Sequence, residues 1–191
     1  HQFADNLVDH VDNVVLQVRG MDTFEGFDGS TDSVRPYNPI RGEDGLYRPG
    51  SLPSKADLML LTRTDPGTTF YWSGRDRHGV SVGPNGSKVA ETIAKENGGQ
   101  TLEQLLERNG VSPLPAWDEL DPESVRFWND ASAAYAQNAS GEVRAVLGSD
   151  LRVGSVWETV EVPRLLENTH VTAINVVDPD TAQVIAGARP A

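Results

Sequence analysis

The hydrophobic rhythm of the chain changes near residue 140, and this change constrains the fold more than any other feature. Up to Ser140-Gly141, most apolar residues recur at helical spacing. Beyond it, Val143 to Leu147, Val156 to Val162 and Val171 to Val177 are short β-prone runs, and Pro163 to Asn168 predicts a helical turn between the last two. A helical part followed by strands with short crossovers predicts an α+β or α/β-like fold, with flanking helices and a small, mostly parallel sheet.

Capping and turn residues divide the chain into further elements. Thr101 with Gln104 three residues later is a capping box, and Asp121-Pro122 is an N-cap with proline at the first helical position. The Gly-, Pro- and Asp-rich stretch from Met21 to Ser54 predicts a long ordered loop or a lid. The sequence therefore predicts helices over 7–18, 87–97, 101–110 and 121–139, a strand over 68–72 and an edge strand over 182–186.

We expect residues 1–191 to form a single catalytic domain, because the chain contains no repeat, low-complexity stretch or second core pattern. Its three parts are an N-terminal helix and long loop (1–55), a mainly helical part (56–140) and an α/β part (141–191). A net charge of -12 argues against nucleic acid as a partner, since no broad basic face is available for phosphates. The chain has no apolar run long enough for membrane insertion, so we expect a soluble protein.

Most cofactor chemistry is disfavoured by the residue types present. The chain has no cysteine, and its four histidines are not at metal-ligand spacing with one another. A glycine-rich dinucleotide fingerprint between a strand and a helix is also absent. We therefore expect no metal and no cofactor, and any chemistry must come from carboxylates, hydroxyls and aromatic rings.

Two segments concentrate such residues. Trp128, Ser132 and Tyr135 fall at i, i+4 and i+7 of a predicted helix, so they share one face, although spacing alone favours Trp128 as an ordinary core anchor. In the run from Ser155 to Glu161, strand alternation puts Trp157 and Glu161 on one face and Glu158 on the other. A carboxylate beside an indole is either a rim residue or a desolvated functional acid.

The order of four motifs resembles the ADP-ribosyl cyclase and NAD glycohydrolase family between Phe70 and Asp178. The motifs are a Trp-Ser pair, a Thr-Leu-Glu at a helix start with a Trp further on, a Phe-Trp with Ser four residues after the Trp, and a Ser-x-aromatic-x-x-x-Glu segment. They correspond here to Trp72-Ser73, to Thr101-Leu102-Glu103 with Trp117, to Phe127-Trp128 with Ser132, and to Ser155, Trp157 and Glu161. Two features depart from the family. Animal members carry several disulfides, and the family's Trp-Ser-Arg reads Trp72-Ser73-Gly74-Arg75 in this chain. The resemblance is thus to a distant, cysteine-free, microbial branch.

The resemblance implies roles for these residues. Glu161 would be the catalytic carboxylate that stabilises an oxocarbenium-like transition state, and Glu103 would accept a hydrogen bond from the nicotinamide carboxamide. Trp117 is expected to be core, and Glu158 to face solvent. The substrate-binding residues would be Trp72, Ser73, Arg75, Trp128, Ser132 and Trp157.

The implied function is an NAD+ glycohydrolase that releases nicotinamide and ADP-ribose, with cyclic ADP-ribose as a second product. NAD+ would be the substrate and not a cofactor. A cysteine-free domain of this kind would suit an NAD-depleting bacterial toxin, secreted or delivered into a target cell and acting in its cytoplasm, with an immunity protein as partner. Two alternatives stay open: a catalytically silent protein-interaction module, and a protein ADP-ribosyltransferase.

Overall fold

The computed structural model describes residues 34–188, so the helix predicted over 7–18 lies outside the described residues. Within that range no helix is long and apolar enough to span a membrane. The helices are α1 (Lys55–Leu61), α2 (Val89–Glu96), α3 (Leu102–Arg108), α4 (Pro122–Asn138) and α5 (Val162–Glu167). The strands are β1 (Thr69–Ser73), β2 (Gln100–Thr101), β3 (Gly141–Leu147), β4 (Val171–Val177) and β5 (Val184–Ala188).

The five strands form one sheet in the order β2-β1-β3-β4-β5. The pairs β1–β2, β1–β3 and β3–β4 are parallel, and β5 pairs antiparallel with β4 at the edge. The predicted mostly parallel sheet and the predicted edge strand are therefore confirmed. The chain runs from β1 to β2 on one side of the sheet and from β3 to β4 on the other. The neighbouring strands β1 and β3 therefore form a switch point, where open α/β sheets commonly bind ligands.

Helices cover both faces of this sheet. On one face, α2 packs through Ala90, Ile93 and Ala94 against Phe70 of β1 and its neighbours on β3 and β4. On the other face, α1, α3, α4 and α5 bury a larger core against the next residue of β1, Tyr71. Successive strand residues point to opposite faces, which explains why neighbouring aromatic residues belong to different cores.

The two predicted N-caps, Thr101 and Asp121, are confirmed in their atomic detail. The side chain of Thr101 accepts from the Gln104 backbone, and the Gln104 side chain accepts from the Thr101 N–H at 2.9 Å, which completes the capping box of α3. Asp121 caps α4 by accepting from the N–H of Glu123 at 3.1 Å. Short polar side chains satisfy the free N–H groups of a first turn, so these starts could be predicted from sequence alone.

The strand predicted over Val156 to Val162 is wrong, because the chain forms a π-helical turn, Trp157–Glu161, that continues directly into α5. The Thr159 hydroxyl donates to the Ser155 carbonyl at 2.8 Å and favours a helical start. Both edges of β3, the strand that precedes this segment, are already paired with β1 and β4. Burial against α4 and the sheet has overridden the β propensity of the valines.

Residues 34–54 lie along the start of α4 as a long loop. The N–H of Tyr47 donates to Asp121 at 2.9 Å, and the N–H of Leu52 donates to Glu123 at 3.1 Å. Leu52 itself is fully buried. The carboxylates at the start of α4 therefore anchor this loop. For residues 34–54 this agrees with the ordered loop predicted over 21–54, while residues 21–33 lie outside the described residues.

Candidate active site

A cavity of about 860 Å³ lies beside the carboxyl end of β1. Its wall includes Trp72 and Ser73 from β1, Glu103 from α3, and Trp128 and Ser132 from α4. Small-molecule sites commonly measure roughly 300 to 1,000 Å³ and occur at this edge of parallel sheets. The cavity thus has the size and the place in the fold of a ligand site.

Glu103 stands in the first turn of α3, immediately after the capping residue of that helix. Because β2 runs parallel to β1, the start of α3 reaches the same edge of the sheet as the end of β1. There the indole N–H of Trp72 donates to Glu103 Oε1 at 3.0 Å. The second oxygen, Oε2, is buried and accepts no hydrogen bond within the described part of the chain. Burial raises the pKa of Glu103, and the Trp72 hydrogen bond lowers it only in part. The hydrogen bond from Trp72 fixes Oε1, whereas Oε2 can accept a hydrogen bond from a ligand.

Glu161 is the second carboxylate of the cavity, and the residue is 8% exposed. It closes the π-helical turn, one residue before α5 begins. Burial raises the pKa of Glu161 well above its ordinary value, and the negative charge of Glu103 raises it further. Two neighbouring buried carboxyl groups resist being charged together, so a cation between them would be favoured.

The helical conformation of this turn keeps Trp157 and Glu161 on one side, although the predicted reason was strand alternation. Residues four apart share a helix face, and here Trp157, Glu161 and Leu165 all point inward. The Trp157 ring packs on Tyr71 with centroids 5.6 Å apart. Glu158 is exposed, as predicted.

All four tryptophans of the chain line the cavity. Trp128 stacks edge-on against Phe127 at 5.0 Å, and its indole N–H donates to the Pro115 carbonyl at 3.1 Å. Trp117 was expected to be core, and this prediction is wrong, because the residue is 49% exposed at the cavity. Trp117 lies two residues after Pro115, in the loop that is fixed by the hydrogen bond from Trp128. This loop places Trp117 at the edge of the cavity and not in the core. An indole binds planar and cationic groups well, so the walls suit an aromatic cation.

A glycine that the sequence did not single out positions the Trp72 ring. A Cβ on Gly83 would lie 2.5 Å from the ring carbons of Trp72. Any side chain at position 83 would therefore displace the indole and its hydrogen bond to Glu103.

The structure brings together most of the predicted site residues, with one exception. Ser73 and Ser132 are buried and line the cavity with the tryptophans and the two glutamates. Arg75 is exposed and is not among the lining residues, whereas Arg152 is. Arg152 was missed because no motif contains it. The rule that loops after parallel strands carry site residues would have pointed to it, since it follows β3.

The buried carboxyl group of Glu161 predicts a pH-dependent gain in stability when its charge is removed. Because its pKa is higher in the folded protein than in the unfolded chain, folding loses stability as the pH rises above the ordinary value for Glu. Glu161→Gln should therefore raise the melting temperature at pH 8 by about 2–4 °C, the size of about 1 kcal/mol in a chain of this length. This gain should vanish near pH 4, where the carboxyl group is protonated in both states.

Thermal unfolding followed by circular dichroism at the two pH values measures this effect. The matched control is Glu158→Gln, an exposed glutamate in the same turn, which should change little at either pH. An equal shift of the melting temperature at pH 4 and pH 8 would show that folding does not raise the pKa of Glu161.

No protein-family model matches the chain, and no curated protein does. Among solved structures it is similar to an Aplysia cyclase in complex with the substrate NGD and the product cGDPR, with a TM-score of 0.49 and 21% identity over 65% of this chain and 54% of the other. It is also similar to an ADP-ribosyl cyclase in complex with N1-cIDPR, with a TM-score of 0.48 and 21% identity over 69% of this chain and 58% of the other. The chain spans little more than half the length of these structures. The likeness is one of fold.

Proposed function

We propose that this chain is an NAD+ glycohydrolase of the ADP-ribosyl cyclase type. The observation that carries the proposal is the pair of buried carboxyl groups, Glu103 and Glu161, in a cavity lined by tryptophans. Nicotinamide in NAD+ is a flat aromatic cation, and both features favour such a group.

The reaction needs one fixed negative charge and little acid catalysis. When the bond between ribose C1′ and the pyridinium nitrogen breaks, its electron pair goes to the nitrogen, and nicotinamide leaves as a neutral molecule. Positive charge develops on the ribose, and we assign its stabilisation to Glu161. Water then bonds to C1′ and loses a proton, giving ADP-ribose. If a nitrogen of the adenine ring attacks C1′ instead of water, the product is cyclic ADP-ribose.

In our proposal, the bound pyridinium ion also determines that Glu161 is in its charged, deprotonated form. In the free protein, burial favours the protonated carboxyl group. A pyridinium ion beside it favours the carboxylate, so substrate binding and proton loss from Glu161 support each other. The carboxylate is then present when the ribosyl cation forms.

Incubation of the purified chain with NAD+, followed by chromatography of the products, tests the proposal. We expect nicotinamide release with ADP-ribose as the main product. An interaction module would release no nicotinamide. An ADP-ribosyltransferase would release nicotinamide but leave labelled ADP-ribose on a protein acceptor.

Glu103 should influence which nucleophile captures the ribosyl cation. Attacking water must lose a proton, which a nearby carboxylate can accept, whereas an adenine ring nitrogen attacks through its lone pair. Glu103→Gln should therefore raise the share of cyclic product, by about tenfold if the two competing barriers shift by about 1.4 kcal/mol relative to each other. Product ratios from chromatography measure this effect.

The control for Glu103→Gln separates its hydrogen bond from its charge. Trp72→Phe removes the donor that holds Glu103 Oε1 but leaves the carboxyl group present. Its product ratio should change less than that of Glu103→Gln. An unchanged ratio with normal turnover in Glu103→Gln would remove Glu103 from the reaction.

We further propose that the chain acts as an NAD-depleting bacterial toxin, with an immunity protein as its partner. The support is the proposed activity together with the absence of cysteine, which lets the fold form in a reducing cytoplasm. Expression in bacteria should lower cellular NAD+ and arrest growth, and Glu161→Gln should do neither. Normal growth at high levels of active protein would contradict the toxin role.

A further inference from the structure

The cavity contains much negative charge and little positive charge. Glu103 and Glu161 supply the negative charge. Among the described residues that line the cavity, Arg152 is the only cationic one. The chain as a whole carries a net charge of -12, so its overall field repels an anionic substrate. A dinucleotide with two phosphates therefore needs a local cation.

The position of Arg152 follows from how the segment after β3 packs on the end of β1. Gly148 N–H donates to the Ser73 carbonyl at 2.9 Å, and Arg75 N–H donates to the Asp150 carbonyl at 3.0 Å. The Asp150 N–H donates back to the Arg75 carbonyl at 3.3 Å, so the two residues form an isolated antiparallel bridge just beyond the parallel pairing of β1 with β3. Arg152, two residues further, reaches the mouth of the cavity, where its side chain is exposed.

Gly74 makes this packing possible. Its φ of +84° is left-handed, and a Cβ at this position would lie 2.6 Å from the Asp150 carbonyl oxygen. No side chain fits at residue 74 while the segment after β3 lies against it. The space beside the Trp72-Ser73 pair is therefore filled by the segment that carries Arg152.

The guanidinium group of Arg152 is available for a ligand. Within residues 34–188 the Arg152 side chain forms no ion pair and donates no hydrogen bond. Arginine presents a planar fork of N–H donors that matches phosphate oxygens and stays charged at every working pH. Nearby Arg77, in contrast, pairs with Asp180 at 4.0 Å and is not a lining residue.

We infer that Arg152, and not Arg75, binds the pyrophosphate of the dinucleotide at the mouth of the cavity. The inference rests on the proposed function, in which the nicotinamide end lies deeper, between Glu103 and Glu161. Arg152 would then select substrates that carry a pyrophosphate, while the carboxylates and indoles act on the nicotinamide ribose.

Steady-state kinetics with two substrates test this assignment. Arg152→Ala should raise the KM for NAD+ by about 10- to 100-fold, the usual loss for a hydrogen bond to a charged group, with kcat changed far less. For nicotinamide riboside, which has no phosphate, kcat/KM should stay at the wild-type value. Arg75→Ala is the matched control and should behave as wild type with both substrates.

Calorimetric titration with ADP-ribose keeps the two proposals distinguishable. If the wild type releases no nicotinamide, the proposed function fails, and the titration still decides the role of Arg152. Weaker ADP-ribose binding in Arg152→Ala than in Arg75→Ala supports the inference. Equal affinities in the two variants, no binding by the wild type, or an equal loss of kcat/KM for NAD+ and nicotinamide riboside would overturn it.

Discussion

Replacing Glu161 with glutamine should lower NAD+ turnover by about 10² to 10³, or roughly 3 to 4 kcal/mol, which is typical for the loss of one preorganised electrostatic group. Glutamine keeps the shape of the side chain and one acceptor oxygen while it removes the charge. In the bound state, the attraction between the carboxylate and the pyridinium ion is offset by the cost of removing the proton from buried Glu161, so affinity for NAD+ should change much less than turnover. The variant thus separates transition-state stabilisation from binding.

The fold offers good controls for this experiment. Glu158→Gln makes the same chemical change three residues away, on the exposed side of the same helical turn, and should leave turnover unchanged. Circular dichroism checks folding, and the expected gain in thermal stability at pH 8 makes unfolding an implausible cause of lost activity. A folded Glu161→Gln variant with more than about a tenth of wild-type turnover would contradict the assignment, since it falls well short of the expected loss.

Replacing Trp128 with alanine should lower turnover by about 10- to 100-fold, because misplacement of reacting groups by about 1 Å can cost this much. The change removes an indole from the cavity wall and also frees Pro115, whose carbonyl it holds at 3.1 Å. The loop that carries Trp117 would then lose one of its fixed points, and water would enter the site. Loss of the edge-on contact with Phe127 should also reduce stability.

A conservative variant distinguishes a site role from a core role. Trp128→Phe keeps an aromatic wall but cannot donate to Pro115, so its turnover should lie between those of the wild type and Trp128→Ala. Turnover is measured well below the melting temperature of each variant. Near-normal turnover in folded Trp128→Ala would show that the residue serves only packing.

Local signals in the sequence predicted much of the fold. Thr101 and Asp121 cap α3 and α4 as predicted, since capping depends on a few neighbouring atoms. The runs that became β3 and β4 are confirmed as strands, because each is long enough to show its β-prone character. The mostly parallel order of the sheet followed from the short crossovers between them.

In the segment around Glu161, the local β propensity led to a wrong prediction of secondary structure. Valines at 156, 160 and 162 have high β propensity, yet the segment forms a helical turn because the sheet has no free position beside β3. Trp157 and Glu161 remain on one side only because a spacing of four suits a helix as well as a strand. The prediction that Trp157 and Glu161 share a face is confirmed, but the strand alternation from which it was derived is wrong.

The helix caps and most strands follow from interactions between near neighbours in the chain, so the amino-acid sequence was enough to predict them. It also lists the side chains that can do chemistry. The tertiary structure alone decided which of those residues meet. Parallel strands bring the ends of β1 and β2 to one edge, so Trp72 reaches Glu103 across 31 positions of sequence. Packing at Gly74 decided that Arg152 lines the cavity while Arg75 does not. Such contacts depend on the register of distant segments, for which no short stretch of sequence carries a signal.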